Sequence, residues 1–393
     1  MPFTKRAALA TVSLAAALAL AAPVGTAFAQ GAQGAPGARQ TTDPAQTGGY
    51  VPLKDTLNVA QADMRRLLEK HGEIGARPIE YLSPEEARKV PTIADAVKAL
   101  LRDQGKNPEA LMAQTGVKKQ DITYSGPTGD MPARVYTPPG QAPQGGWLVI
   151  VYFHGGGWVI ADINTYEPSA VALAKKANAV VVSAEYRHGP ENKFPAAHED
   201  AVAAYSWVLR NAQSFGGDPT RVAVAGESAG GCLALHVAAA SRDGNFQKPA
   251  HMLLVYPVAG TDLNTPSYQE HAIAKPLNKA MIQWFVQHYL NPQDLQSPMI
   301  DFIGKGNAKD LPSATIINAE IDPLESDGKL LADKLKAAGV EVNRQLYEGV
   351  AHEFFGADAV VSDAGRAQDY AAKELREALA AANRTGSTNR PRQ

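Results

Sequence analysis

RVAVAGESAGGCLALHVA, from Arg221 to Ala238, passes from a β-branched apolar run into Gly226-Glu227-Ser228-Ala229-Gly230 and straight on into a helical pattern. A strand that becomes a helix over one serine needs a tight turn, with that serine held at a strained backbone position. Larger residues at 226 and 230 would collide with the neighbouring strand and helix, so glycine is required at both. The turn lifts the Ser228 hydroxyl clear of the sheet. The N-terminus of the following helix adds unpaired N–H groups and the positive end of a dipole, which favour negative charge beside it. In this setting Ser228 reads as a nucleophile rather than as the capping serine of a glycine-rich turn.

The flanking sequence repeats the same grammar. From about Asp121, short β-branched runs alternate with helical patterns; WLVIVYF, AVVVSAEY, HMLLVYPV, SATIINAE and VEVNRQLYEG are the strands beside RVAVAGES. Helices fit at Ser169 to Ala177, Ala196 to Asn211, Ala229 to Ser241, Ser326 to Ala338 and Ser362 to Ala382. Near-continuous apolar strands separated by helices predict an α/β fold, a mostly parallel sheet covered on both faces. DITYSG and ARVYTP, with PTGDMP between them, predict an antiparallel entry pair. An insertion over 262–310 breaks the rhythm with a helix from Lys279 to Tyr289 and much irregular sequence. Ahead of the sheet, Leu57, Met64, Leu67, Leu68, Ile93, Val97, Leu100 and Leu101 recur at helical spacing. There Ser83-Pro84-Glu85-Glu86 starts a helix with a capping serine. The expected division is a helical segment over 51–117, a catalytic domain over 118–383 that contains the insertion, and a polar tail over 384–393.

A serine hydroxyl is inert until a base takes its proton. In this architecture the acid and the histidine follow the serine along the chain. His236 lies within the helix after Ser228, His251 begins a strand, and His271 and His288 lie in the insertion. Only His352 falls in a loop beyond the last strand, in YEGVAHEFF, so it is the expected base. The acid belongs at the end of the strand before, where SATIINAEIDPLESDG offers Glu320, Asp322, Glu325 and Asp327. Asp322 comes just after the strand and before a proline that stops it, which makes it the first choice and Asp327 the second.

Upstream, VYFHGGGWVI (Val151 to Ile160) holds three consecutive glycines, a backbone that something must approach closely. A phosphate loop would continue into Lys-Ser or Lys-Thr, and G-x-G-x-x-G fails because Trp158-Val159-Ile160 follow. With a serine turn elsewhere, the glycines read as backbone N–H donors for charge developing on a carbonyl oxygen, completed by the N–H of Ala229. His154 precedes the serine and reads as a brace for this loop.

Bulk composition is consistent with an enzyme of small molecules. The 393 residues, 45% hydrophobic, suffice for a large core. Basic and acidic residues number 38 and 40, so neither nucleic acid nor an anionic membrane is an implied partner. Lys5 and Arg6, the apolar run from Ala7 to Ala22, and Ala27-Phe28-Ala29 have the order of a secretory signal peptide over 1–29, with cleavage after Ala29. That removal lowers the formal net charge from −2 by two, to −4. Secretion or a periplasmic location is the expectation, as a soluble protein. Cys232 is the only cysteine, so no internal disulfide forms. Residues 30–50, rich in Gly, Ala, Pro, Gln and Thr, read as a disordered linker.

HGGGW (His154 to Trp158), YRHGPENKFPAAHED (Tyr186 to Asp200), GESAGG (Gly226 to Gly231), DPLESDG (Asp322 to Gly328) and GVAHEF (Gly349 to Phe354) occur in this order. Together they resemble the hormone-sensitive lipase-like esterases of the α/β-hydrolase superfamily, over about Asp121 to Ala382. The resemblance implies an α/β-hydrolase fold, with Ser228, Asp322 and His352 as the triad. It also implies Gly156, Gly157 and Ala229 as oxyanion donors, with Gly155 in reserve, and puts Gly155 and Trp158 at the substrate. The helices before Asp121 and the 262–310 insertion would cap the acyl and alcohol pockets. The implied activity is hydrolysis of short- to medium-chain carboxylic esters, with no metal or organic cofactor. An amidase or peptidase using the same triad and a non-catalytic ligand-binding relative are the alternatives. Two positions depart from the pattern: Glu227 stands where Asp is usual, and His188-Gly189 where Leu-Ala is usual. Glu191, His198 and Asp200 read as structural braces, not a metal site.

Overall fold

In a computed structural model the protein is described over residues 55–387, so the leader expected over 1–29 and the linker over 30–50 lie outside the described residues. The chain opens with five helices: α1 (Thr56–Val59), α2 (Ala62–Glu73), α3 (Pro84–Ala87), α4 (Ile93–Asp103) and α5 (Pro108–Ala113). The sheet begins with β1 (Lys118–Gly126), β2 (Gly129–Thr137) and β3 (Trp147–Phe153), followed by α6 (Glu167–Ala177), β4 (Ala179–Ala184) and α7 (Ala196–Asn211). Then come β5 (Gly217–Glu227), α8 (Ala229–Asp243) and β6 (Met252–Val255). The insertion holds α9 (Pro266–Glu270), α10 (Lys279–Tyr289) and α11 (Phe302–Lys305). The chain ends with β7 (Ala314–Ile321), α12 (Glu325–Ala337), β8 (Val342–Ala351) and α13 (Ser362–Ser387). The last helix runs past Ala382, where the apolar pattern stops, because the alanine-rich stretch before it has high helix propensity.

The eight strands form one sheet in the order β1-β2-β4-β3-β5-β6-β7-β8. β2 is antiparallel to both β1 and β4, and every other pairing is parallel. Alternation along each strand explains why the runs are apolar throughout. Val149, Val151, Phe153, Val222 and Val224 face one way, onto α7, α8, α12 and the insertion. Ile150, Tyr152, Ala223 and Ala225 face the other, onto α2, α4, α6 and α13.

Strand order positions the site. After β3 the chain goes one way to β4, then crosses back to β5 on the other side of β3. Between β3 and β5 the order reverses, and a crevice opens beyond their carboxyl ends. Phe153 pairs with Gly226 across that gap, so the glycine loop after Phe153 and the serine turn after Gly226 leave the sheet side by side. Farther along the same edge Ile321 pairs with Ala351, which places Asp322 and His352, the next residues of each strand, next to one another.

The amino-terminal helices pack into both core layers. Met64, Leu67, Leu68, Ile93, Val97 and Leu101 belong to the core layer under α6 and α13, whereas Ile79 and Ala87 join the layer that contains Trp284 and Phe285 of α10. Backbone and side-chain bonds tie this segment to the insertion and to the His352 loop. Lys275 N donates to Thr56 Oγ1 (3.0 Å), Trp284 Nε1 to Leu82 O (3.0 Å), and Gln61 N to Gly349 O (2.8 Å). No helix among the described residues is long and apolar enough to cross a membrane.

Candidate active site

Ser228 sits between β5 and α8 with φ 56° and ψ −119°, a backbone conformation that side-chain-bearing residues rarely adopt. The surroundings hold it there. Its N–H donates to Val255 O (2.9 Å), and its carbonyl accepts from Gly231 N (3.0 Å), Val258 N (3.2 Å) and Cys232 N (3.3 Å). A Cβ at Gly226 would lie 2.1 Å from Gly230 O, and one at Gly230 would lie 2.0 Å from Phe153 O. Both glycines are therefore required by backbone against backbone, as the sequence predicts. Among the described residues no hydrogen bond is made to the Ser228 hydroxyl.

The histidine and the acid meet directly. His352 Nδ1 lies 2.7 Å from Asp322 Oδ2, and Asp322 Oδ1 accepts from Leu324 N at 2.8 Å. A carboxylate only accepts, so Nδ1 carries the proton and Nε2 is left as an acceptor. Asp322 is fully buried and His352 is 3% exposed. Burial of the imidazole opposes its charge. The charge and hydrogen bond of Asp322 outweigh that, Glu353 and Glu227 add to them, and the net direction is upward from 6.5. The Tyr256 ring lies 4.4 Å from the imidazole, one residue after the Val255 carbonyl that holds Ser228 N–H.

The competing acids and histidines all have other partners. Asp327 accepts from Ala259 N (2.9 Å) and Gly260 N (3.0 Å), Glu320 from Gly349 N (2.7 Å), and Glu325 pairs with Arg344. His251 bonds Ser313 and Thr315, while burial pushes it down to about 4. Burial likewise pushes His236, beside His198, down to about 4. His288 packs edge-on against Trp284, and His271 is buried at the end of α9.

The glycine loop has the shape an anion receptor needs. Gly156 and Gly157 have φ of 96° and 60°, and a Cβ would lie 2.1 Å from Ile160 O at the first and 2.2 Å from the Phe285 ring at the second. Neither Gly156 N, Gly157 N nor Ala229 N has an acceptor among the described residues, although all three residues are buried. Buried donors of this kind call for a partner. His154 braces the loop as expected: Nδ1 lies 2.7 Å from Gly155 O, and the ring stacks on Tyr186 at 4.3 Å. Gly155 backs onto Tyr166, whose hydroxyl a Cβ would meet at 2.3 Å.

Trp158, expected at the substrate, has its indole 2% exposed and stacked on Tyr289 at 5.0 Å. Its φ of 61° continues the glycine turn, and the ring supports the loop from within the core. Glu191 pairs with Arg88, Asp200 with Arg187, and His198 bonds Tyr289, so these three are separate braces.

Several residues escaped the sequence reading. Glu227, noted only as a departure, is 1% exposed and accepts from the hydroxyls of Tyr152 (2.6 Å) and Tyr256. It thus anchors the tyrosine that packs on His352. Burial pushes its carboxyl up, against the hydrogen bonds of Ser169 and the two tyrosines. Arg88 donates to Val159 O (2.9 Å) and Gly189 O (2.8 Å) and forks onto Glu191, clamping the end of the glycine loop. An acidic residue after a strand was visible; a long-range clamp was not.

Residues 150–356 match the family model described as alpha/beta hydrolase fold. The chain is 38% identical over 295 residues to carboxylesterase NlhH of Mycobacterium tuberculosis, covering 73% of this chain and 91% of that one. It is 29% identical to ethyl acetate hydrolase of Pseudomonas putida, covering 79% and 95%. The crystallised esterase of Pyrobaculum calidifontis superposes with TM-score 0.68 at 33% identity, covering 76% of this chain and 94% of that one. The sheet order, the serine turn and these likenesses agree: the chain belongs to the α/β-hydrolase fold family, in its hormone-sensitive lipase-like branch.

Proposed function

We propose that the protein is an exported serine carboxylesterase acting on small carboxylic esters, with Ser228, His352 and Asp322 as its triad. The observation that carries this reading is a strained serine at the switch point of the sheet, on the same edge as a buried histidine–aspartate pair. Ser228 Oγ attacks the ester carbonyl while His352 Nε2 takes its proton. The oxygen that becomes negative is received by Gly156, Gly157 and Ala229 N–H. His352 then gives the proton to the departing alcohol, leaving an acyl-serine. Water repeats the cycle and releases the acid. Asp322 holds the tautomer and stabilises the imidazolium.

Small acyl and alcohol groups are favoured by the Phe285 ring, which lies against Gly157. The relative named ethyl acetate hydrolase supports the same size class. Hydrolysis of p-nitrophenyl esters from acetate to palmitate tests the reading, with wild type and Ser228→Ala compared. Activity that falls with chain length and is lost in the variant is expected. Equal rates in both proteins, or none on any ester, refute it. Export is checked by sequencing the amino terminus of the protein recovered outside the cytoplasm: Gln30 is expected, and an intact Met1 contradicts it.

A further inference from the structure

Behind the oxyanion loop, three side chains outside the triad converge. His154 Nε2 lies 2.8 Å from Glu185 Oε1, and His188 Nε2 lies 3.3 Å from the same oxygen. One ligand atom from each residue falls within 4.8 Å of the other two. We propose that His154, Glu185 and His188 form a binding site for a zinc-class divalent cation.

Four features of the geometry point there. Two imidazole nitrogens and one carboxylate oxygen form a donor set suited to Zn²⁺, Co²⁺, Ni²⁺ or Cu²⁺ rather than to Mg²⁺ or Ca²⁺, which take oxygen. His188 Nε2 is shielded from solvent and makes no hydrogen bond, although Glu185 Oε1 lies 3.3 Å away. His154 Nδ1 faces the Gly155 carbonyl at 2.7 Å and Nε2 faces Glu185 Oε1 at 2.8 Å, so both ring nitrogens donate in the metal-free chain and a cation would take the place of the Nε2 proton. A metal-binding histidine commonly makes that outward bond to a carbonyl. Finally, Glu185 Oε2 accepts from Ile163 N (3.3 Å), so the carboxylate is itself oriented.

Bonds of about 2.0–2.2 Å to a tetrahedral ion separate its ligands by roughly 3.5 Å. The 2.8 Å and 3.3 Å pairs would each open slightly, within the reach of side-chain rotation. Glu185 and His188 side chains are 17% and 19% exposed, which leaves a way in from solvent and room for a water as fourth ligand. The site joins the end of β4 to the residue preceding Gly155. A bound cation would therefore stabilise the native chain by binding it and not the unfolded one.

Metal-stripped, untagged protein titrated with ZnCl₂ in a calorimeter, and with CoCl₂ while visible absorption is recorded, tests the site. Wild type is expected to take one equivalent, to show Co²⁺ bands of a four- or five-coordinate ion, and to melt at higher temperature with Zn²⁺. His188→Leu is expected to lose at least tenfold in affinity and to show no Zn²⁺-dependent rise in melting temperature. His188→Gln, closer in shape and polarity, serves if the leucine variant does not fold. Unchanged affinity in either folded variant, no binding by wild type, or an equal effect of Mg²⁺ overturns the proposal.

Discussion

Gly157 shows how much chemistry one missing side chain carries. Its φ of 60° is reachable by alanine only at a cost, and the added carbon would enter the Phe285 ring. Gly157→Ala is expected to lower kcat by on the order of 10²–10³ with a much smaller change in KM, because on the proposed mechanism it displaces a donor used mainly in the transition state. A change confined to KM would contradict the oxyanion role. On the proposed mechanism His352 carries the pH dependence. Neutral imidazole is needed to take the serine proton, and Asp322 draws its pKa above 6.5 despite burial. The acid limb of kcat/KM is therefore expected to have its midpoint above 6.5, and a midpoint below it would remove Asp322 from its role. Asp327 behaves in the opposite sense. Burial pushes it up from 3.8 to about 7, so in that window the native chain keeps a proton that the unfolded chain has lost. Its contribution to stability falls as pH rises through the window. Asp327→Asn keeps an acceptor for Ala259 N and Gly260 N, and its stability relative to wild type is expected to improve from pH 4 to pH 8, by about 1 kcal/mol or more. A difference that does not vary with pH in urea unfolding would refute this.

At the scale of elements, legibility follows periodicity. The helix read from Lys279 to Tyr289 has those bounds in the structure, and the helix read from Ala196 to Asn211 does too. β5 starts at Gly217, before the apolar run at Arg221, because Gly217 pairs with Trp147 of β3 ahead of a register shift that skips residues 218–221 and that no pattern reveals. α5 buries no residue and so has no apolar stripe, although Asn107-Pro108-Glu109 carries a start signal. Arg88 was illegible for a different reason: its partners lie 71 to 103 residues away. It clamps two loops, and its worth can be divided. The exposed pair with Glu191 contributes under about 1 kcal/mol, while the bonds to the Val159 and Gly189 carbonyls contribute more. Arg88→Ala is expected to destabilise by about 2 kcal/mol and Glu191→Gln by under about 1 kcal/mol in urea unfolding. Equal losses would place the clamp's value in the ion pair.

For the whole molecule, fold class was readable, and the residues of the proposed triad could be named, because strand ends, turn chemistry and chain order all appear in short motifs. Strand order was not, since pairing across the sheet leaves no local trace. Nor was the place of the amino-terminal helices: read as a cap, α2 and α4 complete the core layer against α6 and α13. Deleting residues 55–113 removes Met64, Leu67, Leu68, Ile93, Val97 and Leu101 from that layer. Aggregation or unfolding is expected, seen by size exclusion and circular dichroism. A folded, active truncated form would show a detachable cap instead.

The central claim is that Ser228 is the atom that attacks, driven by His352. Its most direct measurement is labelling with a p-nitrophenyl phosphonate ester, followed by peptide mapping of the adduct in wild type and His352→Ala. One phosphonyl group on Ser228 is expected, formed with stoichiometric release of p-nitrophenol and slowed by on the order of 10³-fold or more in the variant. An adduct on any other residue, or equal labelling rates in the two proteins, would contradict the account.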